Sequence, residues 1–163
     1  MEHELRRKDR AVGHDECLEL LARGAYGVLA TLGEDGEPYP VPLSYVFLGG
    51  KIYFHCARQG RKLDNIRACP RVGFTVVGHV QPVFENNFST LYESVIVFGQ
   101  ASEVTDSDEK YAALYALAEK YLPEHIGKAD DYIKRSFPSV AVFAVVPERM
   151  SGKARRGQKT EDR

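Results

Sequence analysis

The chain has 163 residues, 44% hydrophobic and 28% charged, with a formal net charge of −1. That length supports one domain with a substantial core, and the near-neutral balance excludes wholesale binding to nucleic acid or to an anionic membrane surface. No apolar run approaches the ~20 residues needed to span a bilayer, and the opening MEHELRRKDR lacks the apolar stretch of a secretory signal.

Taken in chain order, residues 1–13 read as a charged arm. Asp15 is placed to cap a short helix carrying Leu18, Leu21 and Ala22 on one face, with Gly24 ending it. Tyr26–Leu32 has strand character. Gly33-Glu34-Asp35-Gly36 is a hairpin turn signal, and a second strand follows from Pro38 to Leu48. Gly49-Gly50 turns the chain into a third strand, Lys51–Cys56. Arg61–Cys69 is helical and stopped by Pro70, and Val72–Val77 is the next strand.

Gly78 to Tyr92 is polar and reads as irregular. Ser94–Val104 is a long strand whose unbroken apolar centre, Val95 to Phe98, predicts burial on both faces. Ser107–Leu122 carries a helical apolar stripe closed by Pro123. A short helix is expected over Asp130–Ser136, and Ser139–Val146 is a last strand, apolar on both faces. Lys153–Arg163 reads as a polar tail. The fold class expected is mainly β with peripheral helices in a single domain over 1–163: six strands joined largely by short turns are antiparallel and close into a barrel or sandwich. The order of elements, with neither GxGxxG nor a Walker sequence, argues against a doubly wound nucleotide fold.

One segment carries chemistry. In IYFHCARQGRKLDNIRACP (Ile52–Pro70) a strand gives way to a glycine, Gly60, and then to Arg61 and Lys62 where a helix begins. Positive charge is unfavourable at a helix start, whose free N–H groups are already partly positive. With an anion bound there, cations and N–H groups act together. The alternative is a solvated surface pair. A second oddity is the alternation Pro38, Pro40, Pro42, which removes three donors along one side of a strand. That side is either an exposed edge or the face toward a ligand or partner. The three cysteines, Cys17, Cys56 and Cys69, include no CxxC pair, so reduced thiols and a cytoplasmic location are expected. A nucleophilic Cys56 has no base beside it in sequence. The five histidines show no metal-ligand spacing, and no metal is expected.

These segments resemble the FMN-binding split-barrel family typified by pyridoxamine 5′-phosphate oxidase, in the branch of the 5-nitroimidazole-resistance proteins. The resemblance is carried by YGVLATLGEDGEPYPVPLSYVF (26–47), IYFHCARQGRKLDNIRACPRVGFTVVG (52–78), YESVIVFGQASEV (92–104) and SGKARR (151–156). It implies a six-stranded antiparallel split β-barrel that forms a homodimer, with FMN in a groove at the interface. It assigns the FMN phosphate to Arg61 and Lys62, and the phosphate and ribityl neighbourhood to His55 and Cys56. Pro42, Leu43 and Ser44 would run along the flavin edge, with Ser94 and nearby Tyr92 reaching the cofactor from the long strand.

His55 has two readings, as a strand-end residue bonding a neighbouring carbonyl or as the substrate-side catalytic candidate. Tyr92 likewise is either core or a donor to flavin. MSGKARR (Met150–Arg156) does not reproduce the Arg- and His-rich motif of the true oxidases, so a phosphopyridoxal substrate is not expected. The function expected is an FMN-dependent oxidoreductase reducing a small electron-poor acceptor such as a nitroaromatic. The alternatives are a non-catalytic flavin carrier or sensor, and a split barrel that holds haem or a deazaflavin.

Overall fold

The computed structural model describes residues 5–84 and 88–157. A 3-10 turn at Lys8–Arg10 leads into β1 (Ala11–Val12), α1 (His14–Arg23), β2 (Gly27–Leu32), β3 (Pro38–Leu43), β4 (Val46–Leu48) and β5 (Lys51–Ala57). Then come α2 (Arg61–Ala68), β6 (Arg71–Phe84), β7 (Phe88–Glu103) and α3 (Ser107–Tyr121). A 3-10 stretch (Pro123–Lys128), α4 (Ala129–Ser136) and β8 (Val140–Arg155) complete the described chain. All pairings are antiparallel. The sheet order is β3-β2-β6-β7-β8-β5-β4, with β1 added beside β8.

The two ends of that order, β3 and β4, are consecutive in sequence and joined only by Ser44-Tyr45. The sheet therefore curls until its edges nearly meet, without a ladder between them, which is a split barrel. Its path has seven strands rather than the six expected. The segment Pro38–Leu48 breaks at Ser44-Tyr45 into two strands on opposite edges. β3 pairs only with β2, so Pro38, Pro40 and Pro42 lie on an edge strand, where missing donors disrupt no ladder.

Two cores result. Inside the barrel, Leu29, Phe54, Phe74, Val76, Val95, Val97 and Phe143 pack with Leu20 and Leu21 of α1 and Leu63 and Ile66 of α2. Outside, α3 and α4 cover Tyr53 of β5 and Val142 and Ala144 of β8, with Ala113, Leu114, Leu117 and Ile133. β8 is thus buried on both faces from Ala141 to Val145, as its unbroken apolar run predicts. The corresponding run in β7 is not. Val95 and Val97 are buried, but Ile96 and Phe98 are about two-fifths exposed (40% and 43%) on a face that no helix covers, where the Arg149 guanidinium of β8 lies 4.5 Å from the Phe98 ring centre.

Other expectations change. α1 starts one residue before Asp15, with Gly13 as its cap position and no side-chain cap, and its buried face is Cys17, Leu20 and Leu21 while Ala22 is exposed. The arm read over 1–13 contains a strand, β1, paired with β8. The polar tail read from Lys153 is partly strand, because β8 continues to Arg155 against Tyr92. Residues 1–4 and 158–163 of those two segments lie outside the described residues. Of the stretch read as irregular, Gly78 to Tyr92, residues 78–84 instead continue β6 and residues 88–92 begin β7, paired as an arm of the sheet, while residues 85–87 lie outside the described residues. Backbone pairing holds its ladder from Val80↔Tyr92 to Phe84↔Phe88, which no apolar period announces. A bulge between Val77 and Val80 starts the arm. The Glu93 carboxylate accepts the His79 N–H there (3.0 Å) and pairs with Arg23 (2.7 Å).

Tyr45 pins the barrel where it splits. Fully buried, it donates from its hydroxyl to the Leu21 carbonyl at 2.6 Å. That carbonyl belongs to the last turn of α1, which has no intrahelical donor. The Tyr45 N–H donates to the Tyr121 hydroxyl at 3.0 Å, and that hydroxyl lies 2.9 Å from the Ala25 carbonyl and 3.0 Å from the Tyr45 carbonyl. Gly24 admits the phenol, since a Cβ there would stand 2.6 Å from the Tyr45 oxygen. The Lys120 ammonium lies 4.0 Å from the centre of the Tyr45 ring and has no hydrogen-bond partner among the described residues. Burial lowers its pKa. Tyr45→Phe should lower stability by about 1–2 kcal/mol, because it strands the Leu21 carbonyl. Lys120→Met should leave stability unchanged or raise it, since an apolar group of similar length replaces an unpaired buried ammonium. Urea midpoints of the two variants check both.

Candidate functional site

The candidate phosphate-binding residues lie where β5 ends, the chain turns and α2 begins. Gly60 has φ +140°, a conformation that L side chains rarely adopt, and its carbonyl accepts the N–H groups of Leu63 (2.9 Å) and Asp64 (3.3 Å). Leu63 and Ile66 anchor α2 in the barrel core. A buried polar link fixes its rotation: Asn65 donates to the Thr31 hydroxyl at 2.9 Å, and that hydroxyl lies 3.3 Å from the Tyr39 carbonyl. α2 is thereby tied to both β2 and β3. No side chain caps its first turn, so the N–H groups of Arg61 and Lys62 have no intrahelical acceptor.

The two cations diverge. The Arg61 guanidinium turns to the β2–β3 hairpin, where it pairs with Glu37 at 2.7 Å and lies 4.9 Å from the Tyr39 ring centre. Lys62, half-buried, has no ion-pair partner among the described residues. Its charge is felt on the other flank. Burial is the larger cause of a lowered His55 pKa and Lys62 the smaller. Burial raises the Cys56 thiol while Lys62 opposes it. A half-buried cation without a counter-ion, beside uncapped N–H groups, fits a phosphate-sized anion.

β5 alternates, so His55 and Cys56 face opposite ways. Cys56 packs against the barrel core. His55 opens onto a cavity of about 330 Å³ between the strand ends and α3 and α4. Ser44, His55 and Ser136 supply polar groups there, in a lining dominated by Leu114, Leu117 and Ile133. The mouth of the cavity thus lies at the break between β3 and β4. Pro42 is exposed on the outer face of β3, and Leu43 packs inward.

Tyr92 and Ser94 are elsewhere. Ser94 pairs with Lys153 and His55 with Val142, so eleven residues of β8, about 35 Å of extended chain, separate them. Tyr92 accepts a hydrogen bond from Arg10 at 3.3 Å. One chain therefore brings Ser44 and His55 to one cavity, with Lys62 close enough to act on His55, while Cys56 turns into the core and Tyr92 and Ser94 lie elsewhere. Sequence reading missed Glu37 and Tyr39 as neighbours of Arg61. The acid-rich turn Gly33–Glu37, set against a basic helix start, was the available signal.

An antiparallel split barrel with a cavity at the break between β3 and β4 defines the class. The sequence model of the pyridoxamine 5′-phosphate oxidase family matches residues 13–154, and the chain belongs to that family. Comparison with curated protein sequences finds no match. Among solved structures, a candidate 5-nitroimidazole antibiotic resistance protein from Bacteroides thetaiotaomicron superposes with a TM-score of 0.75 at 18% identity, over 93% of this chain and 95% of that one. An FAD-binding protein from Mesorhizobium loti gives 0.64 at 25% identity, over 90% and 98%. An FAD- and haem-binding protein from Mycobacterium smegmatis gives 0.76 at 17%, over 92% and 75%.

The electrostatics make a direct test possible. The His55 ring should titrate below the ordinary histidine value of about 6.5 when followed by NMR. In Lys62→Met its midpoint should rise yet stay below that value, because burial is the larger cause. A wild-type midpoint at or above the ordinary value contradicts the assignment.

Proposed function

We propose that this protein binds FMN in the cleft between the β3–β4 break and the start of α2, and uses it to reduce a small, flat, electron-poor acceptor such as a nitroaromatic. The observation that carries the reading is Lys62, a half-buried cation with no counter-ion among the described residues, at an uncapped helix start. Lys62 and the first N–H groups of α2 hold the phosphate. Pro42 offers a rigid edge for the ring, and Leu43 and Ser44 backbone N–H donors. Bound flavin supplies the hydride chemistry. The protein binds, orients and excludes water.

His55 is the substrate-side candidate. A lowered pKa keeps its imidazole neutral near pH 7, able to donate a hydrogen bond to a nitro oxygen without adding charge to an apolar cavity. The largely apolar walls from α3 and α4 favour an uncharged acceptor over a phosphorylated one. The three free cysteines are compatible with a cytoplasmic setting.

The functional unit in this reading is a homodimer. The outer face of the barrel supports it: the rows Pro40–Ala30–Gly73–Phe98 and Pro42–Val28–Thr75–Ile96 run across four strands without a charged residue. A second copy seated on that face would cover the exposed half of β7. It would also offer a route for Tyr92 and Ser94 of one copy to approach the cleft of the other.

A second reading, haem at His55, draws on the haem-binding protein among the structural relatives. The absorbance spectrum of the purified protein separates the two, a Soret band against paired flavin bands. A yellow protein that fails to turn over nitroimidazole with a reductant would favour a flavin carrier.

Lys62→Ala should weaken FMN binding by at least tenfold, since a charge-assisted phosphate contact is worth about 1.5–3 kcal/mol. Isothermal titration measures it, and unchanged affinity would sink the phosphate assignment. Phe98→Glu should convert a dimer to a monomer in light-scattering chromatography while leaving the fold intact, because Phe98 faces outward.

A further inference from the structure

The two flanks of the α2 start differ in charge, and this has a consequence for ligand choice. On the Lys62 flank no described residue supplies a counter-ion. On the Arg61 flank a shallow basin of about 610 Å³ is lined by Glu34, Asp35, Glu37 and Asp64 around the single guanidinium. Arg61 is held there by Glu37 at 2.7 Å, with Asp35 adding to the field on it and the Tyr39 ring beneath. The hairpin is rigid at this point, since the Asp35 carboxylate accepts the Glu37 N–H at 2.9 Å and the Gly33 N–H bonds the Glu37 carbonyl at 3.0 Å.

We infer that Glu37 selects the cofactor: by occupying Arg61 and setting an acidic rim beside Lys62, it admits a flavin ending in one phosphate and disfavours a flavin dinucleotide. This rests on the assignment of Lys62 to a flavin phosphate. β3 runs from Tyr39, beneath Arg61, to Leu43 and Ser44 at the His55 cavity. Arg61 and Lys62 are adjacent at the start of α2, so a ligand with its phosphate at Lys62 has the Arg61 basin beside it. A terminal phosphate stops short of it. The second phosphate of a pyrophosphate enters it, and there meets four carboxylates, of which Glu37 pairs with Arg61 and Asp64 with Arg67 (3.4 Å), while Glu34 and Asp35 have no ion-pair partner among the described residues. The individual exposed ion pair is weak. The discrimination comes from the summed charge of the rim, which acts over several ångströms and is screened by salt.

The experiment is isothermal titration of FMN and of FAD into the full chain at low and moderate salt, for wild type, Glu37→Gln, Arg61→Gln and Lys62→Ala. Glu37 is on the surface, and thermal melts confirm that the variants remain folded. Wild type should prefer FMN over FAD by roughly tenfold or more, the scale of one charge-assisted contact. Glu37→Gln should narrow that ratio, chiefly by a gain for FAD, and should flatten its salt dependence. Arg61→Gln should cost FMN little. Equal affinities in wild type, or a Glu37→Gln variant that moves both flavins alike, overturns the inference while Lys62→Ala still reports on the phosphate site. Affinities that Lys62→Ala leaves untouched overturn the phosphate assignment itself, and this inference with it.

Discussion

The buried phenol of Tyr45 is the constraint on which the geometry of the cleft depends. A barrel whose first and last strands are joined by two residues has an unpaired seam, and an unpaired seam exposes backbone donors and acceptors. Tyr45 and Tyr121 meet that need from the side chains. Between them they engage the Leu21, Ala25 and Tyr45 carbonyls and the Tyr45 N–H. This joins the end of α1, the end of α3 and the β3–β4 break at one place. Ser44, the neighbour of Tyr45, opens onto the cavity with His55, so the same junction that completes the barrel also positions the mouth of the site. The unpaired Lys120 ammonium over the Tyr45 ring is a cost tolerated at that junction.

Helix placement then divides the barrel surface into two kinds. α3 and α4 cover the outer faces of β5 and β8 and leave a cavity in the packing at His55. No helix covers β3, β2, β6 and the outer half of β7, where proline, alanine, glycine and phenylalanine lie in rows. A barrel that leaves a flat apolar strip of sheet exposed needs something to cover it against aggregation. The proposed second copy of the chain would meet that requirement at low cost, because symmetric association would cover the strip on both copies at once.

Much of this was legible in the sequence, and the failures are instructive. Hairpin signals, the stopping proline at Pro70 and the helical stripe over Ser107–Leu122 all correspond to elements close to where the residues placed them. The unbroken apolar runs in β7 and β8 looked alike, yet only Ala141–Val145 is buried on both faces within this chain. Composition records that a face requires cover, and cannot say whether the cover comes from a helix of the same chain or from another molecule. The polar stretch Gly78–Tyr92 failed for a different reason. Its hairpin is held by backbone pairing, and its bulge by the Glu93 carboxylate, so no side-chain period marks it as strand.

The basic pair shows most clearly where one dimension ends and three begin. Adjacent residues on a helix point about 100° apart, so Arg61 and Lys62 cannot both serve one small anion unless the surroundings bend their long side chains together. Here the surroundings separate them. The hairpin turn carrying Glu37 stands on one flank of α2 and draws Arg61 over Tyr39, while the end of β5 stands on the other and leaves Lys62 without a counter-ion. What reads as a dication in sequence is in space one neutralised cation and one available one. The acidic turn that makes the difference lies 24 residues earlier in the chain, brought to α2 by the Asn65–Thr31 link that fixes how the helix sits on β2. Charge at this site is therefore set by tertiary placement, and the ligand it accepts follows from which of the two cations the fold leaves free.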